Sequence, residues 1–243
     1  MNKLPVLDHG FVLLRNMSGP TRRPDAAFDA DDTDPANAAR FSFEGQDKDR
    51  AREEDLRLDS YLMKNWHTGP FEQVVVWLEM KLPIFVARQF VRHRTARLNE
   101  ASARYVQLPK EWYIPTLDEV VLQTTDKKQG GRPVDVFNPG EVGKARAFQI
   151  SLDDACRDSY ARYEAAIENG IAMEQARLFL HVNHYTHWIW QCDLHNLMNV
   201  LARRDHGHAQ GPTQKYAEAV DQLVRKHLPH SMELYDKYRR FAI

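Results

Sequence analysis

The stretch RQFVRHRTARLNEASARY, residues 88–105, decides how the rest of this chain is interpreted. Five arginines and one histidine fall within it, directly after the apolar segment 74–80. A cation beside a hydrophobic core is costly unless an anionic or strongly polar group meets it. The density of charge therefore indicates a site for an anionic ligand, and the alternative is a solvated basic face of a helix.

The first part of this stretch fits a helix, and the last part fits an extended segment. At 3.6 residues per turn, residues 84–93 divide into an apolar and a polar side. The apolar side holds Ile84, Val86, Ala87, Phe90 and Val91, and the polar side holds Arg88, Gln89, Arg92 and His93. We expect the chain to leave the helix at Arg94. An extended chain from Asn99 would then place Glu100, Ser102 and Arg104 on one face.

Length and composition predict one soluble domain that spans residues 1–243. Of the 243 residues, 43% are hydrophobic, which suffices for one sizeable core. The formal net charge is -1, so the arginines indicate a local site and not a surface that tracks nucleic acid. Cys156 and Cys192 lack CxxC spacing, which favours a reducing, cytoplasmic location. No apolar run is long enough to cross a membrane, and no secretory signal is evident.

Hydrophobic periodicity predicts further elements along the chain. We expect strands at 6–17 and 185–192, and helices at 49–66, 144–169, 172–181 and 194–204. Residues 18–35 and 123–143 are expected to be surface loops. Asp193 is a good N-cap for the helix at 194–204. In that helix Arg204 alone falls on the apolar face, where it needs a polar or anionic partner, unless the helix ends at Arg203.

The order Arg-His-Arg, seven residues, then Ser resembles the signature of the flavin-dependent thymidylate synthases. It is formed here by Arg92, His93, Arg94 and Ser102, with Asn99-Glu100 and Arg104-Tyr105. The resemblance runs from about residue 38 to about residue 219 and includes HTGPFEQ at 67–73, Glu174-x-Ala176-Arg177, Leu197-Met198-Asn199 and His208-Ala209-Gln210. It implies an α+β fold whose central, mostly antiparallel sheet is flanked by long helices.

The resemblance also implies a reaction and an assembly. The reaction is reductive methylation of dUMP to dTMP: methylenetetrahydrofolate supplies the carbon, reduced FAD the hydride, and NADPH re-reduces the flavin. In such enzymes the signature of one subunit completes the nucleotide pocket of another, so a homotetramer is implied. No metal, nucleic-acid or membrane partner is expected.

Site residues carry over from the family by position. Those for dUMP would be Gln89, Arg92, Glu100, Ser102, Ala103, Arg104, Arg177 and Arg204. Those for FAD would be Gly69, Arg92, His93, Arg94, Glu100, Asp193, His195, Asn199 and His208. Arg204 would be the catalytic residue, because a fixed cation beside the uracil favours loss of its N3 proton and stabilises charge as C5 becomes nucleophilic.

Several positions depart from the family pattern and leave other functions open. They are Gly69 in place of a hydroxyl residue, Gln73 in place of His, Asp193-Leu194-His195 in place of Asn-x-Arg, and Gly211-Pro212. One alternative is a flavin-dependent methylase or hydroxymethylase of another pyrimidine nucleotide. Another is an Arg-rich nucleic-acid-binding module. A third is a metal site at His181, His184 and His187.

Overall fold

A five-stranded antiparallel sheet organises the chain, with strand order β1-β2-β3-β7-β4. The computed structural model describes residues 2–21, 28–42, 51–124, 131–204 and 211–240. The strands of this sheet are β1 (Lys3–Val6), β2 (Gly10–Ser18), β3 (Val75–Pro83), β4 (Arg97–Glu100) and β7 (Tyr185–Asp193). The short strands β5 (Val121–Leu122) and β6 (Arg132–Pro133) pair with each other.

Helices flank this sheet, which confirms the α+β prediction. They are α1 (Asp34–Arg40), α2 (Arg52–Lys64), α3 (Gly69–Glu72), α4 (Ile84–Phe90), α5 (Pro139–Glu168), α6 (Met173–Ala176), α7 (Leu194–Arg204), α8 (Gly211–Arg225) and α9 (Pro229–Tyr238), with a 3-10 turn at Arg177–Phe179. In the part of the chain that the structure describes, no helix has the length and apolar character needed to cross a membrane.

One face of the sheet forms the core, because alternate side chains of a strand point to opposite sides. In β3 the buried set includes Val76, Leu78 and Met80, and in β7 it includes Trp188 and Trp190. These side chains belong to one cluster of buried residues that also includes apolar side chains of α4, α7, α8 and α9. The helices therefore cover this face of the sheet.

The pairing of β3 with β7 brings two helix ends together. β3 leads into α4 at Pro83 and β7 leads into α7 at Asp193, while Pro83 pairs with Tyr185 and Val75 with Asp193. The two helices therefore start at opposite ends of the strand pair. A nine-residue strand is about 30 Å long, and α4 with 7 residues and α7 with 11 together span about 27 Å. Folded back over the sheet, the helices meet at their C-terminal ends.

The sequence prediction for residues 84–104 is wrong in two places. The helix α4 ends at Phe90 and not near Arg94, and Val91 is 46% exposed. The extended segment begins at Arg97, earlier than Asn99, and ends at Glu100. Both Tyr105 N and Val106 N donate to Ser102 O, so the backbone turns where an extended face was expected. The Ser102 hydroxyl supports this turn by accepting from Arg104 N at 3.3 Å.

Other predicted boundaries also shift. The strand at 6–17 is a hairpin, β1 and β2, that turns at Leu7 with φ 58°. The loop at 18–35 overlaps the start of α1, and its residues 22–27 lie outside those described.

The loop at 123–143 includes β6 and the start of α5, and its residues 125–130 also lie outside the described ranges. The Asn138 side chain accepts from Gly140 N and Glu141 N and caps α5, which therefore starts at Pro139 and not at Lys144. In place of a helix at 172–181 the chain forms α6 and the 3-10 turn.

Asp59 on α2 is a buried carboxyl group with a shifted pKa. Burial, followed by the charges of Asp32 and Asp55, raises its pKa to about 8. The folded protein thus holds a proton there that the unfolded chain releases above about pH 4. Stability contributed by this group is consequently highest below about pH 4 and is lost as the pH rises towards 8.

We therefore predict that Asp59→Asn raises the free energy of unfolding by about 1–3 kcal/mol at alkaline pH and changes it little at acidic pH. The measurement is Tm across a pH series. Asp158→Asn is the control, because Asp158 is an exposed carboxylate paired with Arg162 on α5. A variant that is destabilised at every pH would contradict this account of Asp59.

Candidate active site

Arg204, the last residue of α7, lies against the C-terminal end of α4. Its Nη1 donates to Gln89 Oε1 at 3.1 Å, its Nη2 to Gln89 O at 3.0 Å, and its Nε to His93 Nε2 at 3.2 Å. The Gln89 carbonyl is in the last turn of α4, where carbonyls lack helical partners and the helix dipole favours a cation. These residues form the Arg204 cluster. The prediction for Arg204 is therefore confirmed: α7 includes this residue, and its side chain is hydrogen-bonded to strongly polar groups.

His93 is neutral in this cluster. Burial, followed by the charges of Arg204 and Arg203, lowers the pKa of His93 to about 4. Nε2 accepts the hydrogen bond from Arg204, so the ring proton is on Nδ1. A neutral imidazole can hold the guanidinium in place without repelling it.

The Arg204 cluster carries positive charge that no carboxylate balances in the part of the chain that the structure describes. Among the described residues, no Asp or Glu side chain pairs with Arg92, Arg203 or Arg204. Burial, followed by the charges of Arg203 and Arg92, lowers the pKa of Arg204. Such a field attracts an anionic or electron-rich ligand.

A second group of arginines converges on Glu174. Arg104 Nε lies 3.7 Å from Glu174 Oε2, and Arg177 Nε donates to Glu174 O at 3.2 Å. Both arginine side chains are exposed, and their planar forks match phosphate oxygens. Ser102 and the buried Ala103 immediately precede Arg104. We call Arg104, Arg177 and Glu174 the Glu174 cluster.

Glu100 and Arg94 lie between these clusters in the sequence. Glu100 ends β4, and its Oε1 accepts a hydrogen bond from Thr186 Oγ1 on the adjacent β7. Arg94 is exposed in the turn between α4 and β4. No hydrogen bond or ion pair of the described residues joins the Arg204 cluster to the Glu174 cluster.

A third group of predicted residues lies at the start of α7. Asp193 caps this helix, as expected, because its carboxylate accepts from Asn196 N at 2.8 Å. His195 Nε2 lies 3.2 Å from Asn199 Nδ2. Burial, followed by the charge of Arg239, lowers the pKa of His195, whereas Glu72 and Asp193 oppose the shift. This group is called the α7 start.

Gly69 begins α3, which contacts α7. It lines an open pocket together with Pro20, Ala38, Ala39, Phe41, Ser42, Pro70 and Gln73. A Cβ at Gly69 would meet no atom of other described segments within 4 Å, so packing there does not require glycine. His208, the remaining FAD candidate, lies outside the described residues.

Sequence reasoning missed three residues at these groups: Thr186, Arg203 and Arg239. Thr186 contacts Glu100 across 86 positions of sequence, a distance that no local pattern reveals. Arg203 lay on the polar face of its helix and gave no signal. Arg239 follows α9, beyond the motifs between about residue 38 and about residue 219 on which the sequence prediction relied.

The histidines proposed for a metal lie in different surroundings. His184 is buried and stacks on Tyr160, whereas His187 is exposed and its Nε2 lies 2.8 Å from Glu79 Oε1. Within the described ranges, no group of three His, Cys, Asp or Glu side chains is placed to hold a metal ion.

Comparison with known proteins identifies the family. The family model described as "Thymidylate synthase complementing protein" matches residues 26–230. The flavin-dependent thymidylate synthase of Ruegeria pomeroyi is 40% identical, over 98% of this chain and 74% of the relative. That of Treponema denticola is 38% identical, over 98% of this chain and 83% of the relative.

The fold is also found in a solved structure. A UMP/dUMP methylase from Streptomyces cacaoi, bound with 5-Br dUMP, is 25% identical with a TM-score of 0.81, and the match covers 99% of this chain and 100% of that chain. The fold that places Arg92 and His93 of the signature near Arg204 is therefore similar to that of this methylase. The chain is a member of the flavin-dependent thymidylate synthase family.

Proposed function

We propose that this chain, as one domain, catalyses the reductive methylation of dUMP to dTMP. Methylenetetrahydrofolate would be the carbon donor, and FAD reduced by NADPH would be the source of hydride. The observation that carries the proposal is the Arg204 cluster, where a guanidinium with fixed partners lies beside the family signature and pairs with no carboxylate of the described residues. The proposal includes a cytoplasmic location, with which two free, buried cysteines agree.

Arg204 is the residue we assign to the chemistry of the uracil. Three hydrogen bonds to Gln89 and His93 fix its guanidinium within the protein. Little reorganisation is therefore needed when charge develops on the base. A cation beside a uracil carbonyl lowers the pKa of the N3 proton and stabilises the electron-rich C5. Gln89 and His93 then act as positioning residues for Arg204.

The remaining dUMP contacts are assigned to residues that the fold leaves accessible. Arg104 and Arg177 would bind the phosphate, supported by Ser102, Ala103 and Glu100, and Arg92 would add charge near Arg204. Each residue of β4 is exposed, and β4 is the last strand of the sheet. Several of the proposed dUMP-binding residues lie at or just after this exposed edge strand. This position supports a homotetramer in which the signature of one subunit completes the pocket of another.

The α7 start fits the chemistry of FAD. It offers a neutral imidazole at His195, an amide at Asn199 and the open pocket beside Gly69. Arg239, which lowers the pKa of His195, has two buried guanidinium nitrogens that find no hydrogen-bond partner among the described residues. FAD, when bound, supplies the hydride. Its other proposed contacts are Arg92, His93, Arg94, Glu100, Asp193 and His208.

A second candidate differs only in the nucleotide. The neighbour of similar fold is named for activity on UMP as well as dUMP. This chain also departs from the common family pattern at Gly69, Asp193 and His195. Methylation of UMP would keep the same site and would require tolerance of a 2′-hydroxyl.

The first prediction is that the purified protein binds FAD, shows the visible absorption of an oxidised flavin, and changes this spectrum when dUMP is added. With methylenetetrahydrofolate and NADPH it should form dTMP, and a parallel assay with UMP separates the two candidates. A colourless protein that binds neither added FAD nor dUMP would refute both. Tight, steeply salt-dependent binding of RNA or DNA would favour the nucleic-acid module instead.

The second prediction concerns Arg204→Ala. We expect dTMP formation to fall by at least about 100- to 1000-fold, because a charge-stabilising donor is removed, while FAD stays bound. Arg146→Ala is the control, since it removes an exposed arginine from α5 that belongs to none of these groups. Full activity of Arg204→Ala would exclude Arg204 from the mechanism.

The third prediction concerns Arg104→Gln. Loss of a charge-assisted contact to phosphate should raise KM for dUMP by about 10- to 100-fold, with FAD content unchanged. Arg146→Gln, at an exposed position on α5, should leave KM unchanged. An unaltered KM in Arg104→Gln would show that the Glu174 cluster does not bind the nucleotide.

A further inference from the structure

Arg239 is a buried cation whose terminal nitrogens have no polar partner in the described ranges of the chain. It directly follows α9, and the residue is only 5% exposed. Its Nη1 and Nη2 are buried and have no hydrogen-bond partner in the described structure, and its Nε donates only to the Met63 sulfur at 3.3 Å. Buried guanidinium groups are normally paired, so this arrangement requires an explanation.

The surroundings of Arg239 connect it to the α7 start. Its charge acts on His195, which Glu72 of α3 also influences. The Arg239 Cζ atom lies 3.4 Å from the centroid of the Trp66 ring. Trp66 is 52% exposed and has φ 61°, a conformation uncommon for a bulky residue and found preferentially at functional sites. One face of the guanidinium is thus covered by a ring that is itself half open to solvent.

We propose that Arg239 binds the diphosphate of FAD, with Trp66 moving aside to admit it. The inference rests on the proposed function, which places FAD at the α7 start. The diphosphate is the anionic part of FAD, and two guanidinium N–H donors match its oxygens. His195, at the α7 start, is neutral here because its pKa is lowered. Arg239 supplies the cation that this position lacks.

The occupant is assigned as FAD and not dUMP because of where the cations lie. The phosphate of dUMP has its own candidates in Arg104 and Arg177, which contact Glu174 and not α7. Arg239 instead lies over the Trp66 ring, three residues before Gly69, where α3 begins, and α3 contacts α7, the helix whose start includes Asp193 and His195. The phosphate of dUMP and the diphosphate of FAD would therefore bind to different arginines.

The test compares three ligands on the full chain stripped of flavin. Binding of FAD, ADP and riboflavin is measured by flavin fluorescence and by calorimetry for the wild type and Arg239→Gln. We expect Arg239→Gln to weaken FAD and ADP by roughly 10- to 100-fold and to leave riboflavin unchanged, because riboflavin has no phosphate. Arg240→Gln is the matched control, since Arg240 is the adjacent arginine and pairs with Asp236 at 3.1 Å.

A reverse substitution makes the test sharper. His195→Arg in the Arg239→Gln background returns a cation to the α7 start and should restore most of the FAD affinity. If Arg239→Gln does not fold, Arg239→Lys retains the charge and should show a smaller loss for FAD and none for riboflavin.

The outcomes separate this inference from the function on which it rests. Wild-type protein that binds no FAD would refute the proposed function itself. Wild-type protein that binds FAD, with Arg239→Gln or Arg239→Lys binding it equally well, would refute only the role of Arg239. Equal weakening of FAD and riboflavin would also refute it, because the loss would then be structural.

Discussion

The contact between the C-terminal ends of α4 and α7 is the constraint on which the rest of the site depends. Strand pairing sets the two helices at opposite ends of β3 and β7, and their lengths bring their last turns together. The guanidinium of Arg204 joins these turns by donating to the Gln89 backbone and side chain. Arg204 therefore links the two helices by hydrogen bonds and also places a cation at the candidate site. Because the β3–β7 pairing positions both helices, the sheet determines the geometry of this site.

Charge in this protein is distributed so that arginines remain cationic while nearby histidines stay neutral. Burial and neighbouring arginines lower the pKa of both His93 and His195. A neutral ring can accept a hydrogen bond, as His93 does from Arg204, without adding to the repulsion among cations. Ligands with phosphate and carbonyl oxygens would balance the positive charge that the described residues leave without carboxylate partners.

The sequence predicted the parts of the site that follow from local pattern. Arg204 stood out because it was the single charge on an apolar helix face, and Asp193 because carboxylates cap helices. The turn at Ser102 was missed, since alternation of polar residues is compatible with a strand and the competing hydrogen bonds to Ser102 O are local. Thr186 and Arg239 were missed for a different reason: their neighbours come from distant parts of the chain, and tertiary packing alone brings them there.

The exposed strand β4 also bears on how the protein must be made. Its free edge presents backbone N–H and C=O groups to any other strand that it encounters, and such edges seed aggregation when they stay open. A newly synthesised chain whose β4 edge is open carries this liability. If a specific assembly covered the edge, the risk of aggregation would be removed. Slow assembly or a low concentration of the protein would then reduce solubility as well as activity.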